Sequence, residues 1–287
     1  MNSSLPALVI TGVSSGLGLA TARAFVSKGY RVFGSVRTPA DAARLQGELG
    51  EAFVPLLFDV TDAPAIARAA AEVERQLAGV PLRGLINNAG IAVGGPLLYQ
   101  PMAVVRQHFE VNVLGLVQVT QAFLPLLGAR PDFRGHPGRV INIGSVSGQV
   151  ATPFLGAYVG TKFALEGLTA TWRRELQLFG VSMVLIGLGV TKTPIWDKGI
   201  DLEPYRDTPY HEPAQRFAGY VNHTRTQGLT PEYVAGRLVS ILETPRPRLR
   251  YTIAPDVLRS WIIPRLIPDR WLDWLLGRGI GLLPPKR

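Results

Sequence analysis

The chain of 287 residues contains no cysteine, which rules out a disulfide framework and any thiolate metal site. A reducing compartment is therefore allowed, and no metal is assigned. The opening MNSSLPALVITG lacks a basic n-region and runs straight into a strand pattern, so no signal peptide is expected. No uninterrupted apolar run of about 18 residues occurs, which argues against a spanning helix and for a cytoplasmic protein. Charged residues are only 18% and apolar ones 47%, a composition that builds a core rather than a disordered chain.

The net charge of +9 invites a nucleic-acid partner, but its placement argues otherwise. Nine Lys/Arg face three Asp between Arg246 and Arg287, in a tail that also carries Trp261, Trp271 and Trp274. A basic, aromatic, apolar terminus reads as a segment that lies on a membrane surface or packs on the body. No helix-turn-helix, finger or RNA-binding signature accompanies it, and nucleic acid is set aside.

Short apolar, β-branched runs alternate with helical patterns through most of the chain. Strands are expected at Ala7–Thr11, Arg31–Ser35, Phe53–Phe58, Leu85–Asn87, Arg139–Ile143, Ser182–Ile186 and Arg250–Ile253. Helices are expected at Gly16–Lys28, Pro39–Leu49, Ala63–Leu77, Met102–Leu127, Ala157–Phe179 and Pro231–Glu243. Strands hydrophobic throughout, each followed by a helix, predict an α/β doubly wound (Rossmann) parallel sheet covered on both faces. Residues 193–228, rich in Pro, Tyr, His and Trp, read as a mobile segment with one or two helices. One domain spanning 1–287 is expected: a core over 1–190, a substrate lid over 191–230, a last helix and strand over 231–254, and an extension over 255–287.

The first strand runs into Thr11-Gly12-Val13-Ser14-Ser15-Gly16-Leu17-Gly18 and opens a helix. Glycines let the backbone turn tightly against a pyrophosphate, and the helix N-terminus supplies amide donors. Gly12, Ser14, Ser15, Gly16, Leu17 and Gly18 are thus candidate dinucleotide contacts. The second strand ends at Val36-Arg37-Thr38, where a free ribose would want an acid and a 2′-phosphate a cation. Arg37 therefore favours NADP(H) over NAD(H), unless it is one more solvated surface charge. Asp59 and Val60 follow the third strand, where the carboxylate would accept from an adenine amine. Asn88, Ala89 and Gly90 follow the fourth, small and polar where the chain passes beneath the cofactor.

Tyr158 and Lys162 stand four residues apart and share a helix face. A phenol titrating near about 10 is a poor acid or base at neutral pH, and a neighbouring ammonium would bring it closer to the working range. Of the eight tyrosines, none other has a lysine four residues on. Ser145, thirteen residues upstream at a strand end, is placed to polarise a carbonyl oxygen. Without the glycine motif, the pair would read as a surface Tyr beside a solvated Lys.

The order of these motifs resembles the short-chain dehydrogenase/reductase family over nearly the whole chain. Thr11–Gly18 matches the family's glycine-rich loop, Asn87–Gly90 its Asn-Asn-Ala-Gly segment, and Ser145, Tyr158 and Lys162 its catalytic set. Asn112 matches the asparagine that supports a water relay behind the lysine. The resemblance implies that Lys162 holds the nicotinamide ribose, and it implies a homo-oligomer, dimer or tetramer. Passages such as Phe123–Leu127 and Lys162–Gly167 are similar to the retinol-, hydroxysteroid- and 3-hydroxybutyrate-dehydrogenase-like branch, which acts on apolar alcohols and carbonyls and sometimes at membranes. After the sixth strand, Leu188-Gly189-Val190-Thr191-Lys192-Thr193 keeps the family glycine and a threonine but has Leu188 in place of proline. Gly189, Val190, Thr191 and Thr193 are assigned to the nicotinamide end. Thr161 replaces a frequent serine, a change expected to be nearly neutral.

The reading is an NADP(H)-dependent oxidoreductase interconverting a hydrophobic carbonyl compound and its alcohol, with Ile195, Trp196, Tyr205 and Tyr210 walling the substrate pocket. Those aromatics would otherwise pack the core or an interface. The rival reading is an NADPH-binding regulator or scaffold of the same fold without chemistry.

Overall fold

The computed structural model describes residues 5–196 and 201–284. Seven strands form one sheet: β1 (Ala7–Ile10), β2 (Arg31–Val36), β3 (Phe53–Leu57), β4 (Gly84–Asn87), β5 (Arg139–Ile143), β6 (Ser182–Leu188) and β7 (Arg250–Ile253). Their order is β3-β2-β1-β4-β5-β6-β7, and every neighbouring pair is parallel. The order reverses between β1 and β4, which leaves a crevice at their carboxyl ends.

Helices cover both faces because the strands are apolar on both. On one face α3 (Ala63–Leu77) and α5 (Leu116–Phe123) bring Ile66, Val119 and Phe123 against Phe33, Leu85 and Val140. On the other, α1 (Gly16–Ser27) and α8 (Pro231–Glu243) bring Phe25 and Leu238 against Leu8, Ile10 and Ile86, and the two helices pack along each other. The α2 helix (Pro39–Leu49) starts where Thr38 caps it, its hydroxyl accepting from the Asp41 amide.

The stretch expected as one helix over Met102–Leu127 is interrupted. It runs as α4 (Met102–Phe109), a π-turn over Glu110–Gly115, α5, and a 3-10 turn over Leu124–Leu127. Pro125 explains the last change, since it has no amide for the helical ladder. By length and composition this run suits a bilayer, but here α5 packs on α3 and β4.

Beyond β6 the chain is more ordered than its composition suggests. A 16-residue helix, α7 (His211–Thr226), occupies the segment read as mobile. Its face toward the body is narrow, with only Pro213, Ala214 and Phe217 buried, so its apolar period is faint. The extension after β7 adds a π-turn over Leu258–Ile262, the short α9 (Ile263–Leu266) and α10 (Asp269–Ile280), which packs on α7.

Beneath the crevice, β4 and β5 are tied by side chains as well as by their ladder. Asn87 Nδ2 donates to Asn142 Oδ1 and to Thr120 Oγ1, both at 2.9 Å, and Asn142 Nδ2 donates to Thr169 Oγ1 at 2.9 Å on α6 (Gly156–Glu175). All four residues are buried, so removing one partner leaves polar groups unpaired. Asn142→Ala is therefore expected to destabilise the protein by about 2 kcal/mol. Urea unfolding would show a lowered midpoint with an unchanged slope.

Candidate active site

The loop after β1 is shaped by contacts that leave no room for side chains. Gly12 and Gly16 have positive φ, and Gly12 donates its amide to Ser35 Oγ at 2.9 Å. A Cβ on Gly18 would stand 2.1 Å from the Gly12 carbonyl oxygen and 2.6 Å from Asn88 Nδ2. Thr11 Oγ1 accepts from the amides of Asn88 and Ala89, both at 3.0 Å, while Asn88 Nδ2 donates to the carbonyls of Thr11 and Gly12. The β1 loop and the β4 end are thereby one unit. The N-terminal amides of α1 open from it with the positive end of the helix dipole.

This unit floors a cavity of about 1220 Å³ along the carboxyl ends of the strands. Gly12, Ser14, Ser15, Gly16, Leu17 and Gly18 line it, as do Arg37, Asp59, Val60, Asn88, Ala89 and Gly90. Gly189, Val190, Thr191 and Thr193 close its far side, with Ser145, Tyr158 and Lys162 between. Leu188 continues β6 into register with Ile253, and Gly189 donates to the Ile253 carbonyl at 2.8 Å. The chain thus reaches the cavity without the family's proline.

Arg37 is open to solvent, its side chain 75% exposed, and lies 3.9 Å from Asp59 Oδ2. Asp59 Oδ1 accepts from the Thr61 amide and hydroxyl, which fixes the carboxylate at the cavity edge. Next to Arg37, Thr38 spends its hydroxyl on Asp41 Oδ2 at 2.9 Å. Sequence reasoning passed over Arg44 and Ser35. Arg44 reaches back from α2 to donate to the Ser14 carbonyl at 2.8 Å, placing a second guanidinium beside the loop. Nothing in its helical position signals this.

Tyr158 and Lys162 lie on the inner face of α6, both buried. Ser145 lies two residues beyond β5, and its Oγ accepts from the Ser147 amide at 3.1 Å while sharing a hydrogen bond with the Tyr158 phenol. Burial pushes the phenol up from 10.0, and the Ser145 hydrogen bond pulls it partly back. Lys162 Nζ donates to the Ile143 carbonyl at 2.9 Å and stands 5.5 Å from the Tyr158 ring centre. Burial lowers its ammonium to about 8. Desolvation is thus the largest influence on both groups, and the phenol lies above rather than below its ordinary value.

Asn112 sits in the π-turn between α4 and α5. Its Oδ1 accepts from the Ile91 amide at 2.8 Å, and its Nδ2 donates to the Ile91 carbonyl and to Thr161 Oγ1 at 3.1 Å. Thr161 Oγ1 in turn donates to the Tyr158 carbonyl at 2.6 Å. Thr161 therefore ties α6 to the chain after β4, a role its sequence did not suggest.

The substrate end differs from expectation. Ile195 lines the cavity, but Tyr205 and Tyr210 do not. Tyr205 is buried beside Gly95, and Tyr210 packs edge-on against Phe154 and Tyr99 at 6.2 and 5.9 Å. Both support the wall from behind. The side chain of Trp196 lies outside the described residues. The wall itself comes from α7, through Phe217, Tyr220 and Val221, and from the extension, through Leu272, Leu276 and Ile280. The extension is anchored by Arg250, which pairs with Glu166 at 2.9 Å and lies under Trp261, 4.9 Å from its ring centre. Trp261 Nε1 donates to Gln149 Oε1 at 3.0 Å, and Gln149 donates to Glu166.

A model of the short chain dehydrogenase family matches residues 6–201. The chain belongs to that family. It is 41% identical over 276 residues to an NADPH-dependent 3-dehydrocapnine reductase of Ornithobacterium rhinotracheale, covering 96% of this chain and 97% of that one. It is 29% identical over 283 residues to a 17-beta-hydroxysteroid dehydrogenase type 6 of Bos taurus, covering 94% and 87%, in line with the hydroxysteroid-like side of the resemblance. A solved short-chain dehydrogenase of Streptomyces avermitilis superposes with a TM-score of 0.77 at 27% identity, covering 97% and 96%. The chain is thus an oxidoreductase built on a seven-stranded Rossmann sheet.

The burial of Lys162 has a measurable consequence. Between pH 8 and its ordinary value of 10.5, the unfolded chain binds a proton that the folded chain does not. The stability contributed by this group therefore rises with pH across that window. Tyr158, shifted the other way, lowers stability only above 10.0. Urea unfolding of the cofactor-free protein should show stability rising from pH 8 toward pH 10, relative to Lys162→Met, which should lack the rise.

Proposed function

We propose that the protein reduces an apolar ketone or aldehyde to its alcohol with NADPH. The observation that carries this is the meeting of Ser145, Tyr158 and Lys162 on one wall of a cavity whose floor is the glycine unit. That floor fits a dinucleotide, because Gly18 lets α1 close onto the loop and the N-terminal end of α1 borders the cavity that Gly12 and Ser14–Gly18 line. Gly12, Ser14–Gly18, Asn88–Gly90 and Gly189–Thr193 would hold the cofactor, with Arg37 beside the 2′-phosphate. The NADPH-dependent relative at 41% identity supports both the cofactor and the direction.

When bound, the cofactor supplies a hydride to the carbonyl carbon. Tyr158 Oη donates its proton to the carbonyl oxygen, and the desolvation that keeps the phenol protonated suits it to that task. Ser145 Oγ, held by the Ser147 amide, orients the same oxygen. Lys162, close to neutrality at about 8, is poised to return a proton toward the phenolate side of the site. Oxidation of the alcohol follows the same path in reverse. The wall of Phe217, Val221, Leu272 and Leu276 selects an apolar substrate.

Tyr158→Phe is expected to lower kcat by at least about a hundredfold while leaving the NADPH Kd nearly unchanged. Turnover that survived the change would show that the phenol is not the acid, and NADPH binding without turnover of any apolar carbonyl would favour the regulator. Arg37→Ala should weaken NADPH by about tenfold, near the strength of one charge-assisted contact, with little effect on NADH. Fluorescence titration of both nucleotides measures the split.

A further inference from the structure

The extension has two apolar faces, and only one of them meets the protein. Along α10, Leu272, Leu275, Leu276 and Ile280 line the cavity, while Trp271 and Trp274 stand out toward solvent on the other side of the helix. Leu266, at the end of α9, and Trp271 are 77% and 65% exposed. Large apolar side chains gathered this way on one terminal segment are not ordinary surface scatter.

We propose that this outer face docks the protein on an anionic lipid bilayer, so that α9 and α10 lie in the interface while forming the roof of the cavity. Arg270 and Arg278 flank the exposed indoles, and Arg278 lies over the Trp274 ring at 5.2 Å. Indole beside guanidinium is the pairing that suits the headgroup zone, where the ring enters the acyl boundary and the cation meets lipid phosphate. With 12 residues, α10 is about 18 Å long, too short to cross a bilayer and long enough to lie on one. The chain's net charge of +9 favours an anionic surface. A second copy is a poorer occupant, because a two-fold contact through this face would set Arg270 and Arg278 against their own copies. An apolar carbonyl compound dissolved in the lipid would then be separated from Tyr158 by a single helix.

Co-sedimentation of the full chain with sucrose-loaded vesicles tests this, using phosphatidylcholine with and without phosphatidylglycerol. Wild type should pellet with the anionic vesicles, less so at high salt. The double variant Leu266→Glu/Trp271→Glu, which replaces no cavity-lining residue, should bind at least tenfold more weakly. It should also keep its turnover of a water-soluble ketone. If it fails to fold, wild-type tryptophan quenching by brominated lipid takes its place: quenching is expected, and none overturns the proposal. Wild type left in the supernatant, or a folded variant that binds equally, also overturns it. So does a dimer in light scattering that the double variant converts to monomer, since a second copy would then own the face. None of the docking readouts depends on whether the protein is a reductase; absent turnover with intact docking would sink only the chemistry.

Discussion

The close approach of α1 to the loop that precedes it governs the rest of the molecule. Gly18 lies so near the Gly12 carbonyl and the Asn88 amide that any side chain would separate them. Because Asn88 belongs to the end of β4, that one contact seats α1, the β1 loop and the β4 end together. It aims the free amides of α1 into the crevice where the strand order reverses. It also sets the line of α8, which packs along α1 and leads through β7 into the extension. The cofactor floor and the substrate roof are thereby coupled through one helix pair.

Within that frame, desolvation is the largest influence on the Tyr158 and Lys162 side chains. Burial opposes both the phenolate and the ammonium, so Tyr158 holds its proton and Lys162 is lowered to about 8. The groups are kept in place by backbone rather than by opposite charge: Lys162 by the Ile143 carbonyl, Ser145 by the Ser147 amide, and Tyr158 through Thr161 and Asn112. A site organised this way keeps its geometry without a buried ion pair, whose desolvation penalty would be several kcal/mol per ion.

The sheet and the helices that cover it were legible because local patterns and tertiary burial agree. Pro39–Leu49, Ala63–Leu77, Arg139–Ile143, Pro231–Glu243 and Arg250–Ile253 fall on their expected bounds. The candidate chemistry was legible because glycine spacing and the Tyr–Lys pair have few other uses in this order. The π-turn at Asn112 was not, since it depends on how the Asn112 amide meets Ile91 across the fold. Nor was the pocket wall: Tyr205 and Tyr210 have the composition of a lining but pack behind it, whereas Leu272 and Leu276 arrive from some 80 residues beyond Ile195. Aromatic content indicates burial, and it does not say on which side of a wall a ring will lie.

That distance along the chain has a functional meaning. The family match ends at residue 201, and it contains the cofactor floor, Ser145, Tyr158 and Lys162. Most of the substrate wall, from α7 through α10, lies beyond it. On the proposed function, the chemistry would reside in the part that the family model matches, and selection of the substrate in the part beyond it. The Glu166–Arg250–Trp261–Gln149 cluster joins the two, because Glu166 is on the catalytic helix and Trp261 on the extension. On that same proposal, changes in the extension would reshape the cavity wall while the Tyr158 site stays as it is, provided that this anchor is kept.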